Sequence, residues 1–252
     1  MRKKIETDNE DMSFFDHLEE LRWRVVKALI GIVIGGIVCW IFIDPIINDI
    51  LIKPAIDYNL KLQNLKPFGQ VFLFMQVAIV GGVILSFPNI LFQIWRFIAP
   101  GLYSNERKYI FRIVFFTSFC FLSGIAFAYF IMIPFALSFF KTFGTDKIEN
   151  IIAINEYLNF IISVILGAGL VFELPMASWF LSKLGLLTPE FMRKYRRFAL
   201  VIIFIFAAIL TPGTDPISQI ILAIPLMLLY EISIFISKAA SKKKRVKNEY
   251  RS

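Results

Sequence analysis

The sequence predicts an all-α, polytopic membrane protein with six transmembrane helices, and three observations carry that prediction. Of the 252 residues 58% are hydrophobic and 28 are Phe, a composition that leaves no room for a separate folded soluble domain once the apolar segments are placed in a bilayer. The hydrophobic residues gather into six runs, 25–43, 71–95, 113–137, 158–181, 198–210 and 217–236, several of them longer than the roughly 18 residues that suggest a spanning helix. Lys and Arg are divided unequally between the loops: 22 lie on the side of the two termini, against Lys53, Lys61, Lys66, Lys141 and Lys147 on the other. The positive-inside rule then predicts that both termini are cytoplasmic. The net charge of +8 is largely this orientation signal, with KKKRVK at 242–247 as a polybasic patch drawn to anionic lipid. A nucleic-acid partner is not expected.

In chain order, residues 1–12 mix acidic and basic groups and read as a disordered cytoplasmic head. In SFFDHLEELRWR (13–24), Phe14, Leu18, Leu21 and Val25 fall within a narrow arc at 100° per residue, which predicts an amphipathic entry helix lying along the interface. Glu20 and Arg24 are then i,i+4 neighbours and Glu19 is i,i+3 to Arg22, surface pairs of about 0.3 kcal/mol each. No small-residue cleavage site follows the first run, so it is expected to stay as an anchor. The outer loops 44–70 and 138–157 are longer than simple turns, carry apolar residues among polar ones, and read as a cap over the outer face. On the cytoplasmic side Pro100-Gly101 forces a turn, after which Ser104 caps a helix with Glu106 in its first turn. Dipole complementarity is one reading of Glu106. The sharper one is that Glu106 and Glu20, on the same side, jointly receive a cation from a partner.

Gly31 with Gly35, and Gly124 with Ala128, have the small-xxx-small spacing that lets helices approach closely. Glu173 lies inside the fourth run, where an ionised group costs a few kcal/mol and marks a functional candidate; the alternative is a protonated side chain hydrogen-bonded between helices. Pro175 frees the Val171 carbonyl nearby. The last two runs are short: 198–210 spans about 20 Å of a ~30 Å hydrocarbon core, and 217–236 has an apolar centre of only 220–230 before Glu231. A thin spot in the bilayer is one consequence, and stretching of both helices by boundary residues is the other, which Pro212, Gly213, Asp215 and Pro216 oppose. Cys39 and Cys120 fall in apolar runs and read as packing residues. His17 is the only histidine, and no HExxH, CxxC, GxSxG or Walker glycine loop is present, so no metal, no cofactor and no catalytic residue is expected. A proton-coupled small-solute transporter using Glu173 is the alternative function, although the inverted repeats and paired broken helices of that class are not found.

HLEELRWR (17–24), FPNILFQIWRFIAPGLYSNERK (87–108), FAYFIMIPFA (127–136), FELP (172–175) and LTPGTDPISQIILAIPL (210–226) occur in the order and spacing of the TatC family, which the chain resembles from about residue 13 to 237. The resemblance implies a concave six-helix bundle with a periplasmic cap in a bacterial-type inner membrane, between the head at 1–12 and a basic cytoplasmic tail at 238–252. It implies the receptor of the twin-arginine translocase, not an enzyme, with export of folded proteins driven by the proton gradient. Glu20 and Glu106 match the family's contacts to the paired arginines of the signal peptide, and Arg22 matches a supporting arginine. Glu173, Thr211 and Gln219 match positions where single-span TatA/TatB-type subunits dock. A homo-oligomer within the complex and contact with lipid are likewise implied.

Overall fold

The computed structural model describes residues 14–98, 110–142, 151–210 and 216–249. Helix α1 covers Phe14–Ile41. No proline interrupts the backbone ladder between Arg24 and Val25, so the expected entry helix and the first span are one rod of 28 residues, about 42 Å long at ~1.5 Å per residue. The chain then folds into α2 (Ile43–Pro45), a π-helical segment Ile46–Leu51, α3 (Lys53–Asp57) and strand β1 (Lys61–Gln63) before α4 (Gly69–Ile98) returns. Next come α5 (Ile110–Phe127), a π-helical segment Ala128–Met132, α6 (Ile133–Thr142), β2 (Ile151–Ala153), α7 (Ile154–Val171) and α8 (Leu174–Leu184). The short α9 (Pro189–Lys194), α10 (Arg196–Leu210) and α11 (Pro216–Glu249) complete the described chain.

Among the described residues five stretches are long and apolar enough to cross a membrane: His17–Ile41, Gly69–Ile98, Ile110–Ser138, Ile154–Leu184 and Leu222–Ser241. At 15 residues, α10 reaches only about 22 Å, as its sequence predicts. The last helix has 34 residues and runs through Glu231, whose carboxylate Oε1 lies 2.6 Å from Nη2 of Arg196 at the start of α10. That pair sets Glu231 level with the start of the short α10, so the apolar part of α11 before Glu231 is short as well and the helix continues past it toward the basic tail.

The two outer loops meet, as a cap requires: β1 and β2 pair in parallel with Lys61 opposite Ile151 and Gln63 opposite Ala153. Below them lies the main core. Gly35, Cys39, Ile43, Ile47 and Leu51 form one buried stripe at four-residue spacing, of which Ile43, Ile47 and Leu51 join a core with Leu73, Val77, Ala128, Ile133, Leu158 and Ile161 from the other helices. Before Gly35, α1 has no buried residue among its described side chains. α1 is therefore packed densely toward the capped end and is open where it begins, whereas α8 and α11 stay buried together at that end, with Ser182, Ser233 and Ser237 fully enclosed.

Close backbone approach sets the helix pairs. α1 and α4 run antiparallel with Gly35 on Gly82, where an added Cβ at Gly82 would come within 2.6 Å of Gly36 N and Ile32 O. At Gly124 an added Cβ would meet Ala168 O at 2.7 Å. Both small-residue pairs seen in the sequence thus lie at crossings. Proline explains the irregular turns. Pro134 has no amide to give to the Phe130 carbonyl, and the helix widens over Ala128–Met132 just before it. Pro54 likewise cannot serve the Ile50 carbonyl, and the Tyr129 hydroxyl donates to that oxygen at 2.9 Å. The buried Tyr157 hydroxyl donates to the neighbouring Leu51 carbonyl at 2.9 Å.

Replacing Tyr157 by Phe removes that donor while keeping the ring. An unsatisfied buried carbonyl costs about 1–3 kcal/mol, so Tyr157→Phe is expected to lower the thermal midpoint of the detergent-solubilised protein, measured by the loss of helical circular dichroism. An unchanged midpoint would mean that another donor reaches Leu51.

Candidate functional site

At the open end, α1 presents Glu20, Arg24 and Lys27 at i, i+4 and i+7, one stripe of the helix. With Glu19, Trp23 and Arg96 of α4 they line a groove of about 510 Å³. Glu20 is at the centre of the polar contacts there. Its Oε1 accepts from Arg24 Nε at 3.0 Å and also from Arg24 Nη2. Its Oε2 is buried and has no hydrogen-bond partner among the described residues, with His17 Nδ1 3.8 Å away. The His17 ring stacks on Phe97 near the end of α4, 4.3 Å between centroids, which ties the first turns of α1 to the last turn of α4. The groove is therefore held in shape on both sides, and one buried carboxylate oxygen is left without a donor among the described residues.

Arg22 is placed elsewhere. Two residues from Glu20, it points some 200° around the helix, is exposed, and lies 5.6 Å over the Trp23 ring. Glu106 and Thr211 lie outside the described residues, as does Asp215. Sequence reading passed over His17, Phe97, Trp23, Lys27 and Arg96 as members of this site. The i, i+4, i+7 spacing of Glu20, Arg24 and Lys27 was a usable signal, whereas the α4 residues required the antiparallel register of α1 and α4.

The fourth span is broken near its middle. Between α7 and α8 the chain turns at Phe172-Glu173, with the Glu173 amide donating to Leu170 O at 3.1 Å and the Glu173 carbonyl accepting from Ala177 at 2.8 Å. Pro175 in the first turn of α8 accounts for the break. Glu173 Oε1 is buried without a hydrogen-bond partner among the described residues, about 16 Å along the helix from Leu184. Beyond it, α8 is sewn to α11 by serines: Ser178 Oγ donates to Ser233 O at 3.2 Å, and the Ser182 and Ser237 hydroxyls are 2.6 Å apart. The equal offset in both pairs means that the two helices run in the same direction.

The short α10 forms a second, mostly apolar groove with α11. It has a volume of about 730 Å³ and includes Arg197, Leu200, Val201, Phe204 and Gln219 in its lining. Gln219 Nε2 donates to the Phe204 carbonyl at 2.9 Å, so this side chain bridges the hairpin and also faces the groove. Glu20 thus belongs to one site, and Gln219 to another on the opposite part of the chain. Among the described residues no group of His, Cys, Asp and Glu is arranged to hold a metal ion.

The chain is similar to known proteins in sequence and in fold. The family model described as Sec-independent protein translocase protein (TatC) matches residues 16–225. A Sec-independent protein translocase protein TatC of Carboxydothermus hydrogenoformans is 41% identical over 231 residues, covering 92% of this chain and 95% of the relative. The corresponding protein of Aquifex aeolicus is 34% identical over 238 residues, covering 93% and 98%. A crystal structure described as the twin arginine translocase receptor TatC superposes with a TM-score of 0.82 at 35% identity, covering 89% of this chain and 99% of that one. By sequence over most of its length and by fold, this multi-pass membrane protein belongs to the TatC family of Sec-independent protein translocase components.

Proposed function

We propose that this chain is the receptor and core scaffold of a twin-arginine translocase. It binds the Arg-Arg signal peptides of folded proteins on the cytoplasmic face of a bacterial-type inner membrane, where both its termini lie. It recruits single-span TatA/TatB-type subunits, and further copies of itself, for export driven by the proton gradient. The unit that does this is residues 13–237, flanked by the head at 1–12 and the basic tail at 238–252. The observation that carries the reading is the half-satisfied carboxylate of Glu20 in an open groove. A planar guanidinium pairs with a carboxylate through two parallel hydrogen bonds, and two adjacent arginines need two acceptors. Glu20 supplies one and Glu106 the other. Arg24 already holds Oε1 of Glu20, so the peptide arginine enters against Oε2. Arg22, on the far side of the helix, supports the site indirectly through the surface it shares with Trp23.

Partner subunits dock at the second region. A helix of 15 residues leaves the groove beside Gln219 facing a locally thinned membrane, and Thr211 borders the same hairpin. Glu173 offers a buried oxygen in need of a donor, which a polar group on a partner's helix satisfies.

Recognition is tested by site-directed photocrosslinking to a twin-arginine peptide. Glu20→Ala and Glu106→Ala each lose most of the crosslink while the protein still inserts, and the double variant leaves none. Capture at the wild-type level by the double variant returns both residues to a purely local role in helix stability.

Docking is tested at Glu173. Glu173→Gln keeps a hydrogen-bonding group and retains most export, whereas Glu173→Ala loses crosslinks to the single-span partners, with peptide capture intact in both. If Gln stops export as completely as Ala, ionisation is required and the proton-coupled reading replaces docking.

Inserting four leucines after Phe206 lengthens α10 by about 6 Å. Export then falls while peptide capture persists; normal export in this variant would remove the role assigned to the short helix.

A further inference from the structure

The groove at the open end holds more positive charge than Glu20 uses. Five charged side chains line it: Glu19, Glu20, Arg24, Lys27 and Arg96, with His17 beside them. Arg24 and Glu20 neutralise one another. Lys27 and Arg96 have no ion-pair partner among the described residues, and the Arg96 guanidinium has the Phe92 ring 5.6 Å away as its contact. The exposed Glu19 balances one of these two cations at most, which leaves the described lining with one positive charge in excess.

Depth identifies what such a site holds. Antiparallel pairing of α1 with α4 sets Arg96 opposite the level of Leu21, so Lys27 begins about 9 Å further into the bundle. A lysine there extends its ammonium back toward the headgroup layer, which brings it up to the level of Arg96. Trp23, 51% exposed, sits at the same height, where the indole favours the membrane–water boundary. One turn below Lys27, Gly31 is closed off by Asn89 and Ser86 of α4, and beside it the outward face of α1 is apolar, with Ile30, Val33 and Ile34 all more than half exposed. A cationic mouth above an exposed apolar helix face matches a phosphodiester carrying acyl chains, and not a free anion.

We infer that Lys27 and Arg96, with Trp23 between them, form a headgroup site for one anionic phospholipid between the first two spans, next to Glu20. The phosphate bridges the ammonium and the guanidinium, the indole N–H faces the glycerol ester region, and the chains lie along the α1 surface below Lys27. An anionic headgroup is favoured over a zwitterionic one because the groove keeps a net positive charge after its internal pair is formed. The lipid shares one groove with the proposed peptide contact and differs from it in the side chains it uses, Lys27 and Arg96 in place of Glu20.

The test uses the full chain reconstituted in nanodiscs of phosphatidylcholine and phosphatidylglycerol at 7:3, with bound lipid counted by native mass spectrometry after mild release. The wild type is expected to retain one phosphatidylglycerol molecule that Lys27→Gln/Arg96→Gln binds at least tenfold more weakly, with unchanged helical circular dichroism in both. Replacing the tail lysines 242–244 by Gln is expected to leave this molecule in place, which separates it from the diffuse attraction of the polybasic tail. Equal retention by the double variant overturns the proposal, because the two cations then serve another carboxylate of the chain. Equal retention of phosphatidylcholine overturns the selectivity for an anionic headgroup. Displacement by millimolar inorganic phosphate shows a phosphate site in which the chains contribute nothing, and overturns the lipid assignment.

Discussion

A backbone carbonyl without a donor is the costliest small fault a membrane protein can contain, since hydrocarbon offers no water to repair it. This chain risks that fault where Pro54 and Pro134 interrupt helices next to the cap. Tyr129 donates to the Ile50 carbonyl and Tyr157 to the Leu51 carbonyl, and the rest of the structure depends on those two hydroxyls. They come from different spans, Tyr129 from the third and Tyr157 from the fourth, and converge on one short irregular turn. By doing so they fix three segments of chain at a single level. Ile43, Ile47 and Leu51 of the buried stripe can then pack against Ile133, Leu158 and Ile161. Dense packing of the stripe at the capped end follows, and with it the freedom of the opposite end of α1 to stay open.

The part of the fold that could be read from the sequence is the part governed by local rules. Six apolar runs, glycine spacing at Gly31-Gly35 and Gly124-Ala128, and the shortness of 198–210 all reflect properties of a single helix or its nearest neighbour. What could not be read depends on contacts between distant residues. Glu231 marks the end of an apolar stretch in the sequence, but its partner Arg196 is visible only in the fold. Residues 13–24 read as a separate surface helix because their apolar arc is narrow, yet nothing in the backbone stops α1 before Ile41. The pairing of β1 with β2 joins residues some 90 positions apart and leaves no local trace. Of the site, Glu20 and Glu173 were legible because a carboxylate close to or within an apolar run is conspicuous by itself. Trp23 and Arg96 were not, since each is an ordinary residue for the end of a membrane helix.

Arg24 gives the open groove a particular character. It already makes with Glu20 the kind of contact that an arginine of a bound segment makes, so the carboxylate is preorganised for a guanidinium before one arrives. The internal pair also limits the net cost of burying Glu20. In the proposed recognition a second guanidinium is added at Oε2 while Arg24 keeps Oε1, so the carboxylate is shared between two cations. His17 on Phe97 adds rigidity on the other flank.

The serine seam between α8 and α11 acts as a vernier. Ser178 and Ser182 face Ser233 and Ser237 one helical turn apart. Sliding α11 by a whole turn, about 5.4 Å, brings Ser237 and Ser241 to the same spacing, whereas a fraction of a turn parts the paired hydroxyls of Ser182 and Ser237. The coordinate along which these parallel helices could creep past each other therefore has discrete stops. A pull on the long last helix is passed to the turn at Glu173 as a whole-turn step or not at all.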